Sequence, residues 1–174
     1  MIIQTKWFRF GITSSFKWLS NEQVYGICNR TEDGLYIPFI DYDDLPFEYV
    51  VEELRRLQID FGLSTFYLIQ SSKQGYHAIC LDKLSLYAFE NVLQYTSCDR
   101  SYRDIPSKRG IKQWTLRVTK KNGFKPNFVG ILEAKGRKEK SLAHATILKK
   151  LYDIDCDITN NDKKENLVFA KYEI

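Results

Sequence analysis

Two aspartates separated by one residue are the first chemistry-bearing feature of the sequence. Asp41 and Asp43 end the apolar run LYIPFIDYDD at 35–44, and Asp44 follows directly. On an extended strand, residues i and i+2 point to the same face, and adjacent carboxylates repel each other unless a cation lies between them. Carboxylates placed in this way bind Mg²⁺ or Mn²⁺ together with substrate phosphates. The alternative is an acidic turn in which Asp43 or Asp44 caps the helix that follows Pro46.

A turn with small residues and a histidine is the second feature. The segment SSKQGYH at 71–77 joins two apolar runs, at 63–72 and 76–81, which predict a β-hairpin. Hydroxyl residues and a glycine at such a turn expose backbone N–H groups, which hold phosphate oxygens. The alternative for His77 is a histidine that bonds a neighbour in the core or at the surface.

A basic tract is the third feature, and it runs from residue 100 to residue 125 with Asp104 as its only acid. Aromatic residues between basic ones suit single-stranded nucleic acid, because cations follow the backbone and aromatic faces stack on bases. Solvated surface charge is the commoner cause of such a tract. Trp114 also alternates with Leu116 and Val118, which favours a core position for its ring. Just before the tract, Asp99 is either a third metal carboxylate or a helix cap.

The predicted elements form an alternation of helices and hairpins. Apolar residues at helical spacing predict helices at 45–58, 84–95 and 139–154, and the polar segment 96–112 predicts a loop. Further strands are predicted at 24–30, 112–121, 127–134 and 166–174. This order predicts an α/β (α+β) fold with an RRM-like mixed or antiparallel sheet and helices packed on one face of it.

Composition bounds the class of protein. The chain has 174 residues, 26 Lys and Arg against 22 Asp and Glu, and a formal net charge of +4, so one domain over 1–174 is expected. Hydrophobic residues make up 44%, which excludes a wholly disordered chain. No apolar stretch is long enough to span a membrane and no signal peptide begins the chain. With four cysteines and no CxxC pair, we expect reduced, mostly buried thiols, a cytoplasmic location and no membrane partner.

The order of these features resembles the catalytic core of the archaeo-eukaryotic primase superfamily, the primase–polymerases. The resemblance covers about residues 35–121. The third motif of that family, a carboxylate after a hydrophobic residue, is matched by Asp99 after Cys98, with Asp104 as the rival. The first motif, a DxD pair, and the second, a small-residue turn ending in G-x-H, are matched by Asp41, Asp43, Ser71, Gly75 and His77.

The resemblance implies a template-dependent nucleotidyl transferase that moves a nucleotide from an NTP or dNTP to a 3′-hydroxyl on single-stranded DNA. Its cofactor would be a pair of Mg²⁺ or Mn²⁺ ions. The implied catalytic residues are Asp41, Asp43 and Asp99, which would also hold the metal, and His77. The implied nucleotide-binding residues are Ser71, Lys73, Gly75, His77, Arg117 and Lys120. The implied nucleic-acid contacts are Arg103, Lys108, Arg109 and Trp114.

The size of the chain predicts a minimal enzyme that works beside a helicase or an accessory replication subunit. Whether it makes DNA or RNA, and whether it starts chains or only extends them, stays open. Two other functions fit the same residues. A non-catalytic single-strand-binding replication protein would use the basic tract alone, and a metal-dependent nuclease would use the carboxylates on a water molecule.

Overall fold

The structure, a computed structural model, describes residues 2–4, 9–11, 24–135, 138–156, 158 and 169–172. The strands in these ranges are β1 (Ile2–Gln4), β2 (Arg9–Gly11), β3 (Val24–Cys28), β4 (Phe39–Asp43), β5 (Phe66–Gln70), β6 (Gly75–Cys80), β7 (Thr115–Arg117), β8 (Asn127–Leu132) and β9 (Phe169–Tyr172). The helices are α1 (Phe47–Phe61), α2 (Leu86–Gln94), α3 (Arg100–Lys108) and α4 (Leu142–Tyr152).

The central sheet has four strands in the order β4-β6-β5-β8, and every neighbouring pair is antiparallel. Strand β6 lies between β4 and β5, which are joined through α1, so these elements form a split β-α-β unit. A second antiparallel sheet has the order β7-β3-β9, and β1 pairs with β2. The predicted mixed α/β class is confirmed, and the finer RRM-like arrangement stays a prediction.

The central sheet is covered on both faces, so the prediction of helices on one face is wrong. On one face α1 and α2 pack around Tyr42, Leu54, Phe66 and Phe89. On the other face α4 and the second sheet pack around the side chains of Ile27, Phe39, Tyr67, Ile69, Ile79, Leu116 and Leu148. The physical reason lies in β5 and β6, whose residues are nearly all buried on both sides and therefore need cover on both sides.

Helix α1 begins directly after the acidic end of β4. Its buried residues Val50, Leu54 and Leu57 recur at helical spacing, as the sequence predicts. Pro46 precedes its first turn, and Gly62 ends the helix with a φ of 61°, a left-handed conformation that glycine adopts without strain. Pro46 is the N-cap residue and no side chain caps the helix, so neither Asp43 nor Asp44 has the capping role given as the alternative.

The segment 96–112, predicted as a loop, contains helix α3. Asp99 caps this helix, because its Oδ1 accepts a hydrogen bond from the Tyr102 N–H at 2.6 Å. Pro106 lies inside the helix and removes one backbone donor. The sequence of this helix shows no apolar periodicity, because the helix contains a proline and few apolar residues and is followed by Gly110.

Two further predicted strands are present, one of them in part. The strand predicted at 24–30 is confirmed as β3, and part of the strand predicted at 166–174 is β9; residues 166–168, 173 and 174 lie outside the described ranges. Cys28, Cys80 and Cys98 are buried and Cys156 is partly buried. Among the described residues, no helix is both long and apolar enough to cross a bilayer.

Candidate active site

Asp41 and Asp43 project from β4 on the same face of the central sheet. Asp41 lies opposite His77 in the register of β4 and β6, and Asp43 lies opposite Gly75. The Nε2 atom of His77 is 3.4 Å from Oδ1 of Asp41. The structure therefore brings together the DxD pair and the G-x-H turn, which are 34 residues apart in the sequence.

Gly75 is required by the close approach of its neighbours. A Cβ atom at this position would lie 2.6 Å from Oγ of Ser72, 2.9 Å from Oδ1 of Asp43 and 3.0 Å from Oγ of Ser71. The Gly75 carbonyl accepts the N–H groups of Ser71 at 2.9 Å and Ser72 at 3.3 Å. Because these two N–H groups close the hairpin, they are not available to phosphate, and the prediction that they bind it is wrong.

Asp99 reaches the same cleft from α3. Its backbone N–H donates to the Asp41 carbonyl at 2.7 Å, while its side chain caps α3. Asp99 is therefore a cap that also lines the cleft, and its role as a third metal carboxylate stays a prediction. Asp104 does not line the cleft, because its carboxylate pairs with Arg103 and Lys108 at 3.1 Å and with Arg100 at 3.7 Å.

The pKa values of the Asp41 and Asp43 carboxyl groups are both raised. Burial, Asp43 and Asp99 together raise the pKa of Asp41 to about 7, against the opposing charges of Arg117 and Lys121. The pKa of Asp43 is also raised, by burial and then by Asp99 and Asp44. Like charges close together disfavour ionisation, and a bound cation would relieve this.

His77 is neutral at pH 7. Burial, followed by the charge of Arg117, lowers its pKa to about 3. Its contact with Asp41 therefore joins a neutral imidazole and a carboxyl group rather than two opposite charges. In contrast, the other histidine, His144, is held by the Ser141 hydroxyl at 2.7 Å and the Cys28 carbonyl at 2.8 Å, and is structural.

Arg117 braces the site. Its guanidinium donates to the carbonyls of Ser71, Thr119 and Phe124, and so ties the hairpin turn after β5 to the loop after β7. The sequence predicts a contact between Arg117 and nucleotide phosphate. Arg117 lines the cleft, so that contact stays a prediction. Its three bonds also give it a positioning role, and its charge adds positive potential at the carboxylates.

Lys121, not Lys120, lines the cleft, and sequence reasoning missed it. It precedes a two-residue turn at Asn122 and Gly123, with φ of 50° and 82°, closed by two 3.0 Å bonds between residues 121 and 124. A signal was present, because residues 117, 119 and 121 share a face of an extended segment. Lys120 lies on the opposite face, is exposed and does not line the cleft.

The predicted nucleic-acid contacts separate into three groups. Arg109 lines the cleft, as does the predicted phosphate contact Lys73. Arg103 and Lys108 lie outside it and pair with Asp104. Trp114 is wrong as a base-stacking residue, because it is 1% exposed and its ring packs edge-on against Phe89 at 4.9 Å.

The cleft has a volume of about 1260 Å³ and three kinds of wall. One wall is acidic, with Asp41, Asp43, Asp44 and Asp99, and a cationic rim is formed by Lys73, Arg109 and Lys121. The third wall is apolar and comes from α3 and the residues after it. A cleft of this size exceeds the usual range for one small ligand, so it has room for a nucleotide and part of a second strand.

The carboxylates of the acidic wall are oxygen donors of the kind that a hard cation prefers. Among the described residues, no three His, Cys, Asp or Glu side chains form a group that could hold a metal ion by themselves. Oxygen donors on Asp41 and Asp43 still suit Mg²⁺ or Mn²⁺, which bind through one or two carboxylates and complete their shell with phosphate and water. The raised pKa values of both groups fit a site that gains from a cation.

Comparison with known proteins assigns the chain to no family. No family model matches the chain. No curated protein and no solved structure matches it either. What the chain does is therefore inferred from the residues that line its cleft.

Proposed function

We propose that the protein is a template-dependent nucleotidyl transferase of the primase–polymerase type. It would join the α-phosphate of an NTP or dNTP to a 3′-hydroxyl on single-stranded DNA, and pyrophosphate would leave. The observation that carries the proposal is the convergence of Asp41, Asp43 and Asp99 with His77 and the hairpin turn at one cleft rimmed by lysine and arginine. Lys73 on the hairpin turn favours this reaction over a nuclease, which has no triphosphate to hold.

Asp41 and Asp43 would hold Mg²⁺ or Mn²⁺, with Asp99 as the third carboxylate beside them. When bound, the metal would stabilise charge on the reacting phosphate and on the leaving pyrophosphate. Two neighbouring carboxylates on one strand face supply fixed oxygens for this, because β4 is held by β6 along its length.

The remaining residues bind and orient. Lys73, Lys121 and Arg109 would neutralise the triphosphate, whose negative charge exceeds that of the metal ions alone. Neutral His77 would orient the Asp41 carboxylate through its Nε2 atom. Arg117 would hold the two loops that carry Lys73 and Lys121 at a fixed separation.

The test is a synthesis assay with purified protein, single-stranded template, labelled NTPs or dNTPs and Mg²⁺ or Mn²⁺, with and without primer. We expect metal-dependent extension of the primer. Product in the primer-free reaction would add priming. Absence of any incorporation under all metal and nucleotide combinations would contradict the proposal.

A non-catalytic single-strand-binding protein is the second candidate. It is favoured by exposed cations outside the cleft, such as Arg100, Lys108 and Lys120. Retention of DNA without incorporation in the same assay would select it, and metal-dependent degradation would select a nuclease. A helicase or accessory subunit as partner stays a proposal.

A further inference from the structure

The apolar wall of the cleft is formed by Tyr102, Ile105, Pro106 and Ile111. Ile105 is 41% exposed and Ile111 is 53% exposed, so two branched aliphatic side chains face solvent inside a concave site. Exposed apolar groups gathered in a cleft, next to a few polar groups, are typical of a ligand-binding surface.

The wall is held in place relative to the carboxylates. At its start, α3 is attached to β4 by two hydrogen bonds: the Asp99 N–H to the Asp41 carbonyl at 2.7 Å, and the Tyr102 hydroxyl to the Phe39 carbonyl at 3.0 Å. At its end, the N–H groups of Ile111 at 3.1 Å and Lys112 at 3.3 Å both bond the Pro106 carbonyl. The chain therefore folds back, and Ile111 lies beside the last turns of the helix.

We propose that this apolar wall binds the nucleobase of the nucleoside triphosphate whose phosphates lie between the acidic wall and the cationic rim. The proposal rests on the proposed function, since it assigns a part of the same substrate. The apolar face of a base loses water against the aliphatic surface, while the charged phosphates remain with the cationic rim and with metal held by the carboxylates.

The chemistry of the wall also predicts how selective it is. The side chains of Ile105, Pro106 and Ile111 offer no hydrogen-bond donor or acceptor. They would therefore contact each of the four bases by dispersion and burial alone, and the choice of base would fall to the template. We expect the affinities of the four triphosphates, measured without template, to agree within about threefold.

The test measures binding rather than catalysis. Titration calorimetry in Mg²⁺ compares ATP with inorganic tripolyphosphate on the wild type, on the double variant Ile105→Ala/Ile111→Ala and on Ile59→Ala. Ile59 is a matched control because it is 80% exposed on α1 and does not line the cleft. We expect the double variant to bind ATP about tenfold more weakly and tripolyphosphate unchanged, and Ile59→Ala to change neither.

Each other outcome overturns the assignment. Unchanged ATP affinity in the double variant would remove the base from this wall while leaving the proposed function intact. An equal loss for ATP and tripolyphosphate would mean that the wall only shapes the site. A loss for a single-stranded oligonucleotide, with ATP unchanged, would give the wall to the template. If the wild type binds neither ATP nor tripolyphosphate, the proposed function fails together with this inference.

Discussion

One face of the central sheet has two halves that differ in chemistry. In the apolar half, Phe39, Tyr67 and Ile79 are buried under α4 and the second sheet. In the acidic half, two residues further along the same strands, Asp41, Asp43 and His77 line a cleft. The alternation of a strand decides which face a residue occupies, and the elements packed above that face decide whether it becomes core or site.

The contrast is sharpest between Ile79 and His77, which are neighbours on one face of β6. Both are nearly inaccessible, at 1% and 4% exposure. Ile79 gains by burial, whereas His77 is kept neutral by it, with a pKa of about 3. The apolar half therefore contributes stability, and the acidic half holds groups that burial opposes, as is common at functional sites.

The largest expected effect is loss of activity from the acidic half. Asp41→Asn and Asp43→Asn should each reduce nucleotide incorporation roughly 100- to 1,000-fold, because each removes a carboxylate that would hold the metal at the reacting phosphates. Incorporation is measured by primer extension at fixed folded concentration. Asp155→Asn makes the same change on a side chain that is 88% exposed and outside the cleft, and it should keep wild-type synthesis; equal activity in all three variants would refute the metal assignment.

A substitution in the apolar half should lower stability and leave the activity of the folded protein nearly unchanged. Ile79→Ala should lower the free energy of unfolding by about 3 kcal/mol, because it leaves a cavity between β6 and α4. Urea denaturation measures this, and primer extension by the remaining folded protein should change less than about threefold. A large loss of activity per folded molecule would mean that the two halves are not separable.

Asp41 and His77, both in the acidic half, should make stability depend on pH in opposite directions. Because the pKa of Asp41 is about 7 when folded and 3.8 as the reference value, its contribution is present below pH 4 and is lost as the pH rises through 7. His77 acts in the opposite direction: its pKa falls from 6.5 to about 3, so its contribution is present above pH 6.5 and is lost as the pH falls. The free energy of unfolding of the wild type, plotted against pH, therefore contains two opposing contributions.

The variant Asp41→Asn separates the contribution of Asp41 from that of His77. In EDTA, the stability difference between the variant and the wild type should shift by about 2 kcal/mol in favour of the variant between pH 4 and pH 8. Urea midpoints at each pH measure it. A difference that stays constant with pH would show that the Asp41 carboxyl ionises normally.

The smallest expected effect is at the hairpin. Gly75→Ala should push the Asp43 carboxylate or the hydroxyls of Ser71 and Ser72 away, because the new Cβ would lie 2.6 to 3.0 Å from them. We expect about tenfold lower incorporation and about 1 kcal/mol lower stability, read by the same two assays. Gly123→Ala is not a matched control because its φ is 82°, whereas Gly130→Ala meets open space and should leave activity unchanged.

The acidic half was largely predictable from sequence. The i, i+2 spacing of Asp41 and Asp43 predicts their shared face, and the hairpin predicted at 63–81 places His77 on its return strand, since two-residue periodicity is a local property of the chain. The partner of β4 in the sheet was not predictable in this way. It depends on a split connection in which β6 enters between β4 and β5.

The rest of the cleft depends on contacts distant in sequence. Helix α3 is stabilised by a cap and by bonds to β4, neither of which leaves a periodic pattern around Pro106. Trp114 illustrates the converse, because its alternation with Leu116 correctly favoured the core, while its aromatic type favoured a base-stacking role that burial rules out. Residue type suggests what a side chain can do, and packing decides whether a ligand can reach it.

The attachment of α3 to β4 has a consequence for solubility and handling. Strand β4 is an edge of the central sheet, and its Phe39 and Asp41 carbonyls, on the side away from β6, are occupied by Tyr102 and Asp99. An uncovered edge recruits other strands and promotes aggregation. Substitutions at Asp99 that weaken the cap should therefore be accompanied by concentration-dependent self-association, whereas Asp99→Asn keeps an oxygen for the cap and changes the charge alone.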